Sequence, residues 1–200
     1  MHPDTREVAT HMREFGLAIL GRALYDVTFS EMMAPFAHAM AVGHAAHGAE
    51  IALKARIAQE HPLLVFSNLP KSTTTPGDLT LSELFEHGRT IQYQDLPEVL
   101  WAATGFRMER VEQYQQFGKL RNSIIHFAAP EADLACATLK FLIEVMEPVV
   151  QAFWNRTILE SAHIWDEAIA KDGYLEEQLE SCKVAVSDQL RATLAKLKGN

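Results

Sequence analysis

Apolar residues recur every three or four positions along almost the whole chain, which is the pattern of amphipathic helices and not of alternating strands. The first stripe predicts a helix over about residues 5–26, with Asp4 as its N-cap. Ser30 is placed to cap a second helix that ends near Gln59, because the residue before Pro62 disfavours the helical conformation. The inner face of this second helix is predicted to use Met33, Phe36, Met40, His44 or His47, Ile51 and Ala55.

Glycine, proline and capping residues divide the rest of the chain into shorter elements. Residues 66–79 read as a loop, and the capping box Thr80-Leu-Ser-Glu83 starts a short helix over 81–88. Asp95-Leu-Pro-Glu starts another short helix, which Gly105 stops. Further helices are predicted over residues 106–128, 132–154 (with a kink at Pro148), 156–171 and 174–197.

These elements predict an all-α fold, an up-and-down helical bundle formed by one domain that spans residues 1–200. The helices over 30–59, 106–128 and 132–154 are expected to form the core, and the N-terminal helix completes the bundle. The accessory C-terminal helices of 156–200 either pack on that bundle or form an oligomer contact. The apolar stripe of 174–197 favours packing within the chain over a coiled coil.

Composition and charge limit the partners of such a bundle. The chain has 200 residues, 48% hydrophobic and 22% charged, which is ordinary for a globular protein. Its net charge of −8 gives little nonspecific attraction to nucleic-acid phosphates. Binding to RNA would therefore need a local basic patch or the help of a partner.

The two cysteines and the distribution of apolar residues bear on the compartment. Cys136 and Cys182 have no CxxC or Cys/His spacing around them, so no zinc site is expected and nothing requires a disulfide. No apolar run approaches the roughly 18 residues of a membrane span, and the N-terminus lacks the apolar segment of a signal peptide. A cytoplasmic protein that makes no membrane contact is the prediction.

The chemistry of the chain is concentrated in the stretch RNSIIH, residues 121–126. Asn122 and His126 are four residues apart and share one helix face, and the long side chain of Arg121 can reach the same side. His126 lies in the last helical turn, where the helix dipole favours an imidazolium. A titrating histidine beside a permanently charged arginine suits cleavage of RNA, which supplies its own 2′-hydroxyl nucleophile and needs no metal.

This stretch resembles the R-x4-6-H motif of the HEPN family, all-α domains of which many are metal-independent endoribonucleases. A second segment, GHAAHGAEIALKARI at 43–57, resembles an upstream helix of the family. Glu50 and Lys54 correspond to the glutamate and the lysine of that helix pattern. The resemblance covers about residues 30–155. Some family toxins extend the motif to R-x4-H-x-Y, but this chain has His126-Phe127-Ala128, so neutralisation by modification of that tyrosine is not expected.

The resemblance implies a homodimer in which the motifs of two protomers face each other and cut RNA, in some members as a toxin or antiviral effector. Arg121, His126 and Asn122 are then the expected catalytic residues. Lys119, Glu50 and His47 are expected to bind substrate, and Lys119 and Arg121 would join Arg107 and Arg110 in a basic groove. No cofactor or metal is expected, and an antitoxin or regulatory protein is a further candidate partner.

Three other readings stay open from the sequence. The chain can be a HEPN-like module without nuclease activity that binds a protein partner or a nucleotide. His44, His47 and Glu50 step by three along one helix and can in principle bind a metal, or they can be ordinary helix residues with satisfied side chains. Glu160-x-x-His163 has the form found in di-iron bundles, but the chain carries no second copy of it.

Overall fold

The computed structural model describes residues 4–29, 36–71, 79–127, 133–161 and 173–198. The described chain is helical apart from short connections and one two-stranded sheet, so the predicted all-α class is confirmed. No described helix has the length and apolar character needed to cross a membrane.

Helices α1 (Asp4–Phe29) and α2 (Ala37–Glu60) form an antiparallel pair that is packed unusually closely. A Cβ atom on Gly16 would lie 2.8 Å from the backbone nitrogen of Ala52, and one on Gly48 would lie 2.9 Å from that of Leu20. Glycine is therefore needed at both crossings. The buried face of α2 consists mainly of alanine: Ala37, Ala41, Val42, Ala45, Ala46, Ala49, Ala52, Leu53, Ala55, Ile57 and Ala58.

The predicted start of the second helix is wrong, and its predicted inner face is right only in part: Ala55 is buried as predicted, whereas the large side chains at the start of the face are exposed. Phe36 has a left-handed backbone (φ 68°), so α2 begins at Ala37, and the predicted cap Ser30 lies outside the described residues. Phe36 and Met40 are 80% and 54% exposed. Hydrophobicity alone pointed to these large side chains, whereas the close approach of α1 selects the small ones.

A region of short helices and strands connects α2 to the second half of the bundle. Strand β1 (Phe66–Asn68) follows a 3₁₀ turn (Pro62–Val65) and pairs antiparallel with β2 (Arg89–Thr90). The predicted loop therefore contains a strand at its start, and its residues 72–78 lie outside the described residues. Helix α3 (Leu81–His87) begins with the predicted capping box, since Thr80 Oγ1 accepts from the Glu83 N–H and the Glu83 carboxylate accepts from the Thr80 N–H.

Helices α4 (Leu96–Thr104) and α5 (Val111–Phe127) are separated by residues 105–110. Gly105 stops α4 with a left-handed backbone (φ 75°), as predicted. The predicted start of the next helix at Phe106 is wrong, because the Phe106 N–H donates to Thr104 Oγ1, and the helix forms only from Val111.

The structure divides the predicted helix 132–154 into three consecutive helical segments. Helix α6 (Leu134–Lys140) runs into a π-helical segment (Phe141–Met146), and α7 (Glu147–Trp154) follows. The sequence predicted a kink at Pro148, and the structure has a π-helical segment just before it: the Glu147 N–H bonds to the Leu142 carbonyl, five residues back. Proline has no N–H to continue the normal ladder, which makes the preceding turn a tolerant place for an extra residue.

The predicted helix 174–197 is broken in the middle. Helix α8 (Ile158–Ser161) precedes α9 (Tyr174–Ser181) and α10 (Asp188–Lys198). Lys183 has a left-handed backbone (φ 53°) and ends α9. Residues 182–187, here called the strap, run alongside α6, the π-helical segment and α7.

Three bonds fasten the strap at successive points. Cys182 forms a disulfide with Cys136, the Ala185 N–H donates to Glu144 Oε1 (2.9 Å), and Gln151 Nε2 donates to Ser187 Oγ (3.1 Å). The sequence contained nothing that required a disulfide, and the structure nevertheless forms one. Disulfides are typical of oxidising compartments, so this bond gives the prediction of a reducing cytoplasm no support.

A buried carboxyl group joins α7 to α8. Glu147 is fully buried; its Oε2 accepts from the Ile158 N–H (2.8 Å) and its Oε1 accepts from Gln151 Nε2 (2.9 Å). Burial raises the pKa of Glu147 from 4.5 to about 7, against the opposing effect of these two hydrogen bonds.

Substitution Glu147→Gln is expected to change how stability depends on pH. The folded protein holds the Glu147 proton more tightly than the unfolded chain, so this residue costs nothing below about pH 4.5 and progressively destabilises the fold as pH rises to 7 and above. The wild-type free energy of unfolding should fall, relative to that of Glu147→Gln, by about 2–3 kcal/mol between pH 5 and 8. Urea unfolding at both pH values measures it. The exposed Glu180→Gln serves as control, and parallel curves for all three proteins would contradict the assignment.

Reduction of the disulfide is expected to destabilise the fold by about 2–4 kcal/mol, because the bond closes a long loop in the unfolded chain. The two cysteines are 46 residues apart. Urea unfolding with and without dithiothreitol measures the loss. The double variant Cys136→Ser/Cys182→Ser should already have the lower stability and should not respond to the reductant; a response equal to that of the wild type would refute the prediction.

Candidate active site

The second half of α5 borders a polar cavity of about 400 Å³ that also touches α2 and the segment 89–95. We call it the polar cavity. Its lining includes Glu50, Tyr93, Gln94, Gln115, Lys119, Arg121 and Asn122. The structure therefore brings four of the predicted site residues to one place: Glu50, Lys119, Arg121 and Asn122.

Arg121 is held from three sides. Its Nη1 donates to Asn122 Oδ1 (2.9 Å), its Nη2 lies 3.5 Å from Glu50 Oε2, and its guanidinium carbon lies 6.0 Å from the centre of the Tyr93 ring. The side chain remains about one-quarter exposed. A guanidinium fixed in this way keeps donor groups directed towards the cavity at a small entropic cost on binding.

Glu50 connects the two segments on which the HEPN resemblance rests. Its Oε1 lies 2.6 Å from Lys54 Nζ, one helical turn later on α2, and Lys54 also donates to Thr90 Oγ1 (3.0 Å). Lys54 is buried, so its charge depends on Glu50 for compensation. A chain of charges, Lys54–Glu50–Arg121, thus crosses from α2 to α5.

Tyr93 and Gly118 support the site, and the sequence analysis did not single out either. The rings of Tyr93 and Tyr114 stack 4.2 Å apart, each hydroxyl donates to the other residue's carbonyl, and burial raises the pKa of both phenols. A Cβ atom on Gly118 would lie only 2.6 Å from the Tyr93 ring. A glycine inside a helical pattern can mark a close packing contact, but Gly43, where an added Cβ would meet nothing within 4 Å, shows that the pattern alone does not identify which glycine is needed.

His126 stands apart from the polar cavity. It lies in the last turn of α5 with its side chain exposed, and its ring lies 6.3 Å from that of Phe127. Its neighbours Ile125 and Phe127 are 59% and 80% exposed, so the histidine is flanked by uncovered apolar surface. His47 is also exposed, on α2, and does not line the cavity.

The other predicted cations are engaged elsewhere. Arg107 lies over the Trp101 ring at 4.5 Å, and Arg110 forms an ion pair with Glu144 at 2.7 Å. Among the residues that line the polar cavity, Lys119 and Arg121 are cationic and Glu50 is the one carboxylate, which also pairs with Lys54 behind it. The local balance is therefore positive on a chain whose overall charge is −8.

The geometry gives little support to the metal sites considered from the sequence. His44 Nδ1 lies 3.1 Å from Asp26 Oδ2, while Glu50 is occupied by Lys54 and Arg121. Glu160 caps α8 through the Thr157 N–H, and His163 lies outside the described residues. Among the described residues one group of three ligand-type side chains converges, Asp133 with Cys136 and Cys182, and its two sulfurs are bonded to each other.

Gly118→Ala is expected to destabilise the protein by about 1–3 kcal/mol, since the added methyl group overpacks the Tyr93 ring. Gly43→Ala is the matched control: it is also a glycine-to-alanine change in a helix, but a Cβ there meets nothing within 4 Å. This control should gain up to about 1 kcal/mol from helix propensity. Urea unfolding compares them, and an equal gain for both variants would show that Gly118 is not a packing requirement.

Comparison with known proteins adds no relative: no family model, curated protein or solved structure matches the chain. The HEPN resemblance therefore rests on its two segments alone. What the fold contributes is their placement, with Glu50 of the first segment 3.5 Å from Arg121 of the second.

Proposed function

We propose that the protein is a metal-independent endoribonuclease of the HEPN type that acts as a homodimer. The observation that carries the proposal is the arrangement along the end of α5. A braced arginine borders a polar cavity of positive local charge, and an exposed histidine follows five residues later between two uncovered apolar side chains.

Arg121 suits the binding of a scissile phosphate. Its guanidinium has five donors, of which Glu50 and Asn122 engage only part. The remaining donors can form charge-assisted hydrogen bonds with phosphate oxygens, as can the exposed ammonium group of Lys119 nearby. Asn122 and Glu50 act in this proposal as positioning residues that fix the plane of the guanidinium.

The surroundings of His126 favour a contact between two copies. Large apolar side chains as exposed as Ile125 and Phe127 lose contact with water when a second α5 covers them. A two-fold contact there would place two copies of RNSIIH side by side. Two histidines would then be present, one for each proton transfer.

The reaction follows from these groups. One His126 removes the proton of an RNA 2′-hydroxyl, and the oxygen attacks the adjacent phosphorus atom. The bond from phosphorus to the 5′-oxygen breaks, and the second His126 donates a proton to that leaving oxygen. Arg121 stabilises the additional negative charge on the phosphate as the transition state forms. The products are a 2′,3′-cyclic phosphate and a 5′-hydroxyl.

One observation favours a second candidate function, a binding module without catalysis. Glu50 already balances part of the charge of Arg121, and His126 does not line the polar cavity. An arginine with a built-in counter-ion can recognise a phosphate without helping to cleave it. In that case the polar cavity would bind RNA or a nucleotide and release it without chemical change.

Arg121→Ala and His126→Ala should each lower RNA cleavage at least about 100-fold, the usual contribution of a general acid–base group or a preorganised charge. Cleavage of a labelled RNA in EDTA measures this, and end-group analysis should find the cyclic phosphate. Arg191→Ala on α10 and His87→Ala on α3 are matched controls: neither residue lines the polar cavity, so both variants should retain wild-type activity.

The same assay separates the two candidates. Equal cleavage by the wild type, Arg121→Ala and His126→Ala would exclude these residues as the catalytic groups. RNA retained without cleavage, with affinity lost only in Arg121→Ala, would establish the binding module. Sedimentation over a concentration series tests the dimer, which Phe127→Ser should weaken together with the activity.

A further inference from the structure

A second hollow, of about 590 Å³, lies between α5 and the face made by α6 and the π-helical segment. We call it the amphipathic hollow. It opens on the other side of Lys119 from the polar cavity and shares none of its other lining residues. Its volume falls within the roughly 300–1,000 Å³ that is usual for small-molecule sites.

The floor of the hollow is apolar and firmly packed. The rings of Phe117 and Phe141 stack in parallel with centroids 3.8 Å apart, and Val145 lies one turn further along the π-helical segment. These three side chains are buried, whereas Leu120 and Ala137 on the walls are half-buried and leave apolar surface open to a ligand. A ligand with an apolar body would gain by covering that surface.

The rim carries two cations that have no charge partner among the residues the structure describes. Lys119 on α5 and Lys140 on α6 are both exposed, and neither forms a hydrogen bond or ion pair with another described residue. The third cation, Arg110, is paired with Glu144 at 2.7 Å. The other oxygen of Glu144 accepts from the Ala185 N–H of the strap, so both oxygens of this carboxylate already have a partner and Arg110 balances its charge.

One wall of the amphipathic hollow is formed by the π-helical segment. π-helical segments are rare and are frequently found at functional sites. Here the segment supplies Phe141 to the floor, Val145 beside it and Glu144 to the rim. The strap fastens this segment from outside through Ala185.

We propose that the amphipathic hollow binds a small amphipathic anion, a medium-length acyl chain or an aromatic ring that carries one carboxylate or phosphate group. The apolar body lies on Phe117, Phe141 and Val145, and the anionic group lies between Lys119 and Lys140. The site goes beyond RNA cleavage: it shares Lys119 with the polar cavity, but it uses neither Arg121 nor His126 and requires no second protomer.

Calorimetric titration of octanoate into the full-length protein tests the proposal. Octanoate should bind, and octylamine, which has the same chain and the opposite charge, should not. Phenyl phosphate, titrated in parallel, distinguishes a phosphate-bearing ligand from a carboxylate. Lys140→Gln should weaken octanoate binding about tenfold, which corresponds to the loss of one charge-assisted hydrogen bond. Lys196→Gln on α10 is the control and should bind as the wild type does.

The variant Ala137→Leu provides a second, independent test of octanoate binding. The larger side chain projects into the hollow from a half-buried position, so it should abolish octanoate binding while the helical circular dichroism stays unchanged. Octanoate binding that is unaffected by both Lys140→Gln and Ala137→Leu would overturn the proposal, as would no binding at all by the wild type. A change of oligomeric state in Ala137→Leu without octanoate binding to the wild type would also overturn it, since the hollow would then be a contact between copies. RNA cleavage, measured separately, can fail without affecting any of these outcomes.

Discussion

The close crossing of α1 and α2 is the constraint on which the rest of the fold depends. Gly16 and Gly48 allow the two backbones to meet where any side chain would collide, and alanines fill the remainder of the contact. Small residues bury little area each, so the stability of this pair comes from continuous van der Waals contact along two long helices. Because α2 is fixed so firmly on one face, its other face can hold charged residues.

The charged chain from Lys54 through Glu50 to Arg121 is the first consequence. Lys54 is buried against the core, and a buried ammonium group requires a partner. Glu50 provides it and, on the other side, braces the arginine of α5. The Tyr93 ring, held between Tyr114 and Gly118, completes this support. Packing, desolvation and the candidate site are therefore one continuous arrangement.

Local signals in the sequence were sufficient for some of this architecture. The capping box of Thr80 and Glu83 and the left-handed stop at Gly105 depend on neighbouring residues only, and both predictions are confirmed. The predicted start of α2 failed because hydrophobic periodicity continued through Ala34-Pro35-Phe36, where the proline was a stop signal that the pattern concealed. Periodicity also continued across Cys182, where the helix ends beside the disulfide and Lys183 has a left-handed backbone.

The candidate site also has one part that the sequence predicts and another part that only the folded structure explains. Helix spacing predicts that RNSIIH presents polar groups, but the contact between Arg121 and Glu50 joins residues 71 positions apart, beyond the reach of any local pattern. Tyr93 takes part only because Gly118 leaves room for its ring, and that is a property of the folded packing. The HEPN assignment, the nuclease activity and the dimer stay predictions.

The disulfide has a topological consequence besides its effect on stability. It closes residues 136–182 into a covalent ring that contains α6 from Cys136 onwards, the π-helical segment, α7, α8 and α9, while α1 to α5 and α10 lie outside it. A single backbone cleavage within that ring would leave one connected molecule, whose two pieces separate only after reduction. The part of the chain that forms one wall of the amphipathic hollow is thus protected by connectivity as well as by packing.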